Sequence, residues 1–149
     1  MNHGRLQVGI LIAAVFTLMS ANVWAEKPTS IRWETDIVKA KGESETEKRP
    51  ILLYVYSDGC AYCKKMLRDT YSDQKIISKI EEDFVPAVVN YSDHPDWVRQ
   101  LKIQSFPTTI MISSKWEVVD SVDGYLTPAK FRAWLESSTA KLEGNTVKR

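Results

Sequence analysis

The two cysteines of this chain stand three positions apart, in Cys60-Ala61-Tyr62-Cys63, directly after an apolar run and a Ser57-Asp58-Gly59 turn. This places Cys60 where a buried strand gives way to a helix. The unpaired N–H groups and positive dipole end of a helix N-terminus favour negative charge and so raise the thiolate fraction of Cys60. Cys60 is therefore the expected nucleophile. Cys63, one helical turn on, can attack a mixed disulfide formed at Cys60 and release the substrate. The pair then carries two electrons reversibly, with no bound cofactor. Lys64 and Lys65 either add positive potential beside it or are plain solvated charges.

Other roles for the pair are weaker. A structural staple closing so short a loop contributes about 2 kcal/mol, against about 3 for a 15-residue loop. A structural zinc site wants four Cys or His ligands, whereas beyond residue 25 the chain offers Cys60, Cys63 and His94. Haem attachment needs His at the position held by Lys64. Two thiolates suffice for Cu(I), so a non-catalytic binding module or Cu(I) metallochaperone stays open as the alternative. No Met or His constellation near the pair favours it.

The elements that must hold these cysteines can be read on either side of them. Ile51 to Tyr56 is unbroken apolar, β-branched or aromatic sequence, as expected of a central strand covered on both faces. Before it, Ile31 to Trp33 suggests a short edge strand, and Ile37, Val38 and Ala40 a helix ending before the charged run Lys41 to Arg49. After it, a helix runs from Cys60, kinks near Thr70 to Asp73 and resumes to Glu82. A strand at Phe84 to Val89, a polar loop holding His94, and a short helix from Asp96 to Lys102 follow. Thr108 to Ile112 and Glu117 to Val122 are close enough to pair as a hairpin. Pro128 fits the first turn of a last helix, whose buried face is Phe131, Trp134 and Leu135. Helices between the early strands imply parallel crossovers and the hairpin an antiparallel pair, so the fold class is α/β, a three-layer sandwich with a mixed sheet and helices on both faces. Trp97, Trp116 and Trp134 are read as packing residues, not a ligand cage.

At 149 residues, with 44% hydrophobic and 26% charged residues, the chain suits one ordinary globular domain; large multidomain and disordered classes are excluded. A formal charge of +1 supplies no strong field for nucleic acid, and none is expected as a partner. Residues 1–25 are set apart: Arg5, an apolar run from Val8 to Met19, then Ser20-Ala21-Asn22-Val23-Trp24-Ala25 read as an export signal cleaved after Ala25. A bilayer-spanning helix needs about 20 apolar residues, more than this run provides. The leader has no Cys for lipid attachment, and its removal leaves a formally neutral chain. The expected organisation is a signal at 1–25, a domain at 26–141 and a flexible tail at 142–149, in a monomer outside the cytoplasm.

The strand Ile51 to Tyr56, the motif from Ser57 to Met66, the segment Val88-Val89-Asn90 and the later Ser105-Phe106-Pro107-Thr108 together resemble the thioredoxin superfamily, over about Ile31 to Leu135. In particular they resemble exported thioredoxin-like proteins related to the periplasmic C-terminal domain of the membrane thiol-disulfide interchange reductase. The resemblance implies a thiol–disulfide oxidoreductase acting on protein thiols and disulfides, coupled to a membrane-bound or soluble dithiol partner. It also implies that Pro107 is a cis-proline facing the disulfide, and that Phe106, Pro107 and Thr108 border the substrate groove. Tyr62, between the cysteines, is expected to touch the partner, with Tyr125 a second candidate contact. Two departures stand out. Tyr54 occupies the place of the family's buried acid, and Gly59 that of the usual Trp, so proton transfer at Cys63 falls to water, Tyr54 or another group. The Ala61-Tyr62 pair lacks the His of strongly oxidising relatives, which favours a reductase or isomerase over a dithiol oxidant.

Overall fold

The computed structural model describes residues 26–147; the expected export signal at 1–25 lies outside them. In chain order the elements are α1 (Ile37–Glu47), β1 (Ile51–Tyr56), α2 (Ala61–Asp69), α3 (Gln74–Asp83), β2 (Val85–Asn90), α4 (Pro95–Gln100), β3 (Thr108–Ile112), β4 (Val118–Asp123) and α5 (Pro128–Val147). The sheet has the order β2-β1-β3-β4. β1 runs parallel to β2 and antiparallel to β3, and β3 pairs antiparallel with β4. The expected mixed α/β sandwich is the observed architecture.

Alternation along β1 divides the core in two. Leu52 and Tyr54 join Met66, Ile76, Ile80, Phe131 and Leu135, so α2, α3 and α5 cover one face. Ile51, Leu53 and Val55 join Ala40 and Val98, so α1 and α4 cover the other. All of the first five β1 residues are buried, which explains why its sequence is apolar without interruption.

Apart from shifts of one or two residues at element ends, four differences from the sequence expectations have a local reason. First, α1 continues through the charged run to Glu47. Ala40 and Ser44, four apart, supply its buried stripe, and Lys41 pairs with Glu45 on the outside. The left-handed Lys48 (φ 59°) ends it. Second, the helix after the cysteines does not merely kink. Thr70 and Tyr71 both donate their N–H to Met66 O, Tyr71 turns its ring into the core, and Asp73 caps a new helix by accepting from Lys75 N and Ile76 N.

Third, no strand forms at Ile31 to Trp33. A single parallel bridge joins Glu34 to Ala87 of β2, with Glu34 N–H donating to Pro86 O and Val88 N–H to Glu34 O, both at 2.9 Å. Asp36 then caps α1 and ends the extended stretch. Pro86 fits β2 because its nitrogen lies on the Glu34 side, where no ladder bond to β1 is lost. Fourth, α5 does not stop at residue 141. It continues to Val147, and Leu142 packs against the core cluster on its face of the sheet.

Candidate functional site

β1 delivers the chain to the site. Beyond Tyr56 the backbone turns through Ser57-Asp58-Gly59, with Cys60 N–H donating to Ser57 O at 3.4 Å. Gly59 has φ 72° and nothing within 4 Å of where a Cβ would stand. Glycine is suited here by its left-handed backbone, not by crowding. Asn90, at the end of β2, donates its side-chain N–H to Asp58 Oδ1 at 3.0 Å and ties the turn to the sheet.

Cys60 is the N-cap of α2: its backbone is extended (φ −70°, ψ 104°) and its sulfur accepts the Cys63 N–H at 3.1 Å. The cap position normally taken by a hydroxyl or carboxylate oxygen is thus held by sulfur. A disulfide joins Cys60 to Cys63, whose Cα atoms are 5.2 Å apart. Cys60 is half-buried while Cys63 is 2% exposed. The pair is therefore unequal: Cys60 is partly exposed and Cys63 is buried.

Beneath Cys63 sits Tyr54, fully buried. Its hydroxyl donates to Cys63 O at 3.0 Å. Its ring lies among Trp33 (centroids 5.8 Å), Tyr56 (6.1 Å, stacked) and Tyr71 (5.0 Å, edge-on). Burial first, and the neighbouring Tyr56 second, push the Tyr54 phenol well above its ordinary range. It stays protonated at neutral pH, a donor and not a base. Burial likewise raises Tyr71, against the opposing effect of its hydrogen bond with Thr109.

Phe106–Pro107 is a cis peptide. Because Thr108 pairs with Val55 in antiparallel register, Pro107 lies at the end of the sheet where β1 runs into the cysteine turn. Gly124 N–H donates to Pro107 O at 2.6 Å, fastening this loop to the end of β4. Phe106 is half-buried against Tyr91 (5.3 Å). Thr108 is buried, its hydroxyl 2.7 Å from both Ser105 O and Asp123 Oδ1, so that side chain is committed within the protein. Tyr62, by contrast, is 64% exposed beside the cysteines. Tyr125 is partly buried beneath Lys65, whose Nζ lies 4.3 Å from its ring centre, and donates to Asp69 Oδ2 at 3.3 Å. Lys65 is thereby engaged with the aromatic face of Tyr125.

The tryptophans do not converge: Trp134 packs with the α5 face of the core and Trp97 with the opposite face, while Trp116 sits in the β3–β4 turn near Lys41. His94 precedes α4 without a side-chain cap bond. Among the described residues no group of three or more His, Cys, Asp or Glu side chains is placed to hold a metal ion, and no helix is long and apolar enough to cross a membrane. The roles of Tyr71, the Gly124–Pro107 bond and the bond from Tyr54 to Cys63 emerge only from the structure. Only the last had a signal, an aromatic where the resembling family has an acid.

Residues 34–139 match the family model of a thioredoxin-like domain. The thiol:disulfide interchange protein DsbD of Yersinia pestis (strain Pestoides F) is 22% identical over 102 residues, which are 65% of this chain and 17% of that protein. The chain thus spans under a fifth of the length of the curated relatives it matches. Among solved structures, a thioredoxin from Thermus thermophilus has 25% identity and a TM-score of 0.68, covering 75% of this chain and 89% of that one. A DsbH oxidoreductase (16%, TM-score 0.64, 92% and 94%) and the oxidised C-terminal domain of Neisseria meningitidis DsbD (18%, 0.59, 71% and 98%) share the fold.

Proposed function

The chain belongs to the thioredoxin-like family and carries the Cys pair of a thiol–disulfide oxidoreductase; from that premise we propose that it acts on protein substrates outside the cytoplasm, as a reductase or isomerase. The observation that carries this reading is the unequal pair: a partly exposed Cys60 capping α2 and a buried Cys63. In the reductive direction the Cys60 thiolate attacks a substrate disulfide, forming a mixed disulfide and releasing one substrate thiolate, which takes up a proton. Cys63 then loses its proton and attacks Cys60 Sγ. The second substrate thiolate leaves and is protonated in turn, and the Cys60–Cys63 disulfide remains. The substrate gains two electrons and two protons. A dithiol protein, membrane-bound or soluble, returns the pair to its reduced form by the reverse sequence.

The leader at residues 1–25 supports export, and the absence of His from Ala61-Tyr62 supports the reductase or isomerase direction. Tyr62 and Phe106 are the apolar groups offered beside the accessible sulfur, and Pro107 borders the same groove. The test is trapping. Cys63→Ala should attack but fail to release, accumulating mixed disulfides with envelope proteins on non-reducing gels of acid-quenched cells, whereas Cys60→Ala should accumulate few. Equal absence of adducts from both variants, each folded and exported, would overturn the exchange reading in favour of a metal-holding or structural pair.

A further inference from the structure

We propose that Tyr54 is a positioning residue for the exchange: by holding the Cys63 carbonyl, its hydroxyl keeps Cys63 Sγ within reach of Cys60 Sγ and so sets how readily the pair closes. This rests on the reading of Cys63 as the resolving thiol.

Three observations carry it. Tyr54 stands on β1, the strand bonded on both sides by β2 and β3, so its ring is fixed to the most constrained part of the sheet. Trp33, Tyr56 and Tyr71 pack around that ring, which leaves the hydroxyl little freedom to seek another partner. Its bond is made to the peptide of Cys63 itself, at 3.0 Å, and not to a residue later in α2. A carbonyl oxygen has two lone pairs. The helix uses one in its own i+4 bond, and the hydroxyl takes the other, so the contact anchors the first turn of α2 without replacing a helical bond.

Holding a nucleophile near its target raises its effective concentration. For this pair the electrophile is Cys60 Sγ, either in a mixed disulfide during the forward cycle or in the closed disulfide at its end. Loss of the anchor should therefore slow ring closure and make the closed disulfide easier to reduce. A neutral hydrogen bond of typical net strength corresponds to about five-fold in an equilibrium constant. For a two-electron couple that is about 20 mV, toward less negative potential.

The perturbation is Tyr54→Phe, which keeps the ring and removes the hydroxyl. The control is Tyr71→Phe. Tyr71 is also buried, and its hydroxyl pairs with Thr109 Oγ1 at 2.8 Å instead of with the Cys63 carbonyl. Both variants and the unaltered protein are equilibrated with reduced and oxidised glutathione, and the lifetime of the Cys60–glutathione adduct is followed by acid quench. Tyr54→Phe should shift the ratio of dithiol to disulfide about five-fold toward dithiol and lengthen the adduct's life by a similar factor. Tyr54→Leu should shift both in the same direction, and Tyr71→Phe should lower stability while leaving both within two-fold. A shift below two-fold in Tyr54→Phe, or an equal shift in Tyr71→Phe, would overturn the assignment. These measurements need no protein substrate, so they can fail while the trapping test succeeds, and the reverse.

Discussion

Among the described residues the Cys63 N–H is the backbone donor on Cys60 Sγ, and it can be removed without touching Cys60. In Cys63→Ala the resolving thiol is gone but the N–H remains; in Cys63→Pro both are gone. Proline is tolerated in the first helical turn, which is where residue 63 lies in α2. A hydrogen bond to a charged acceptor contributes about 1.5–3 kcal/mol, and about 1.4 kcal/mol is a factor of ten in an equilibrium. At one pH within the titration, the thiolate-to-thiol ratio of Cys60 should therefore be about ten- to hundred-fold lower in the Pro variant than in the Ala variant. The assay is the ultraviolet absorbance of the thiolate across pH, with the alkylation rate at fixed pH as a second readout. The sign follows from linkage. The donor stabilises the deprotonated form, so the Ala variant should hold an advantage in folding stability at high pH that disappears as the pH falls and Cys60 takes up its proton. Coincident titrations in two folded variants would refute the cap as the source of thiolate stabilisation.

Two further outcomes are expected. Burial pushes the Asp120 carboxyl up, but bonds from Lys141, Ser138 and the Ser121 N–H outweigh this and hold it below the usual carboxylate range. Its stabilising contribution is present above the unfolded value and lost as pH falls through the folded one, so Asp120→Asn should narrow the difference in urea midpoint between pH 7 and pH 3. If residues 1–25 act as an export signal, the protein recovered from the extracytoplasmic fraction should begin near Glu26 by intact mass; a retained Met1 in a membrane pellet would refute this.

The sheet was legible because its strands carry their burial in their composition. Ile51–Tyr56 and Thr108–Ile112 are nearly continuous apolar or β-branched runs, and both lie inside the sheet. Helix ends were less legible. Around Ser44 the charges read as a stop, although Ala40 and Ser44 at helical spacing were enough to bury one stripe. At the other end Leu142 stands seven after Leu135 and continues the same helical face into the core, but the polar residues around it read as a tail. The cysteines were legible from spacing and from the strand before them. What the hydroxyl of Tyr54 does was not, because the bond joins a side chain to a carbonyl nine positions away across the turn. The Gly124–Pro107 bond is non-local in the same way and has no trace in the local pattern, whereas Tyr54 is marked only as an aromatic where the resembling family has an acid.

The bridge at Glu34 has a bearing on how the domain behaves in company. A strand at the rim of a sheet presents bare N–H and C=O groups on which another chain can be templated, and such pairing leads to swapped dimers and fibrils. Along β2 the Pro86 carbonyl and the Val88 N–H are already taken by Glu34, and Pro86 has no N–H to offer. The opposite rim, β4, carries the carboxylates of Asp120 and Asp123 on a strand whose pairing with β3 shifts register at Met111 and Ile112. One rim is occupied and the other is charged and irregular. Both rims are thereby poorly suited to edge-to-edge pairing with another chain.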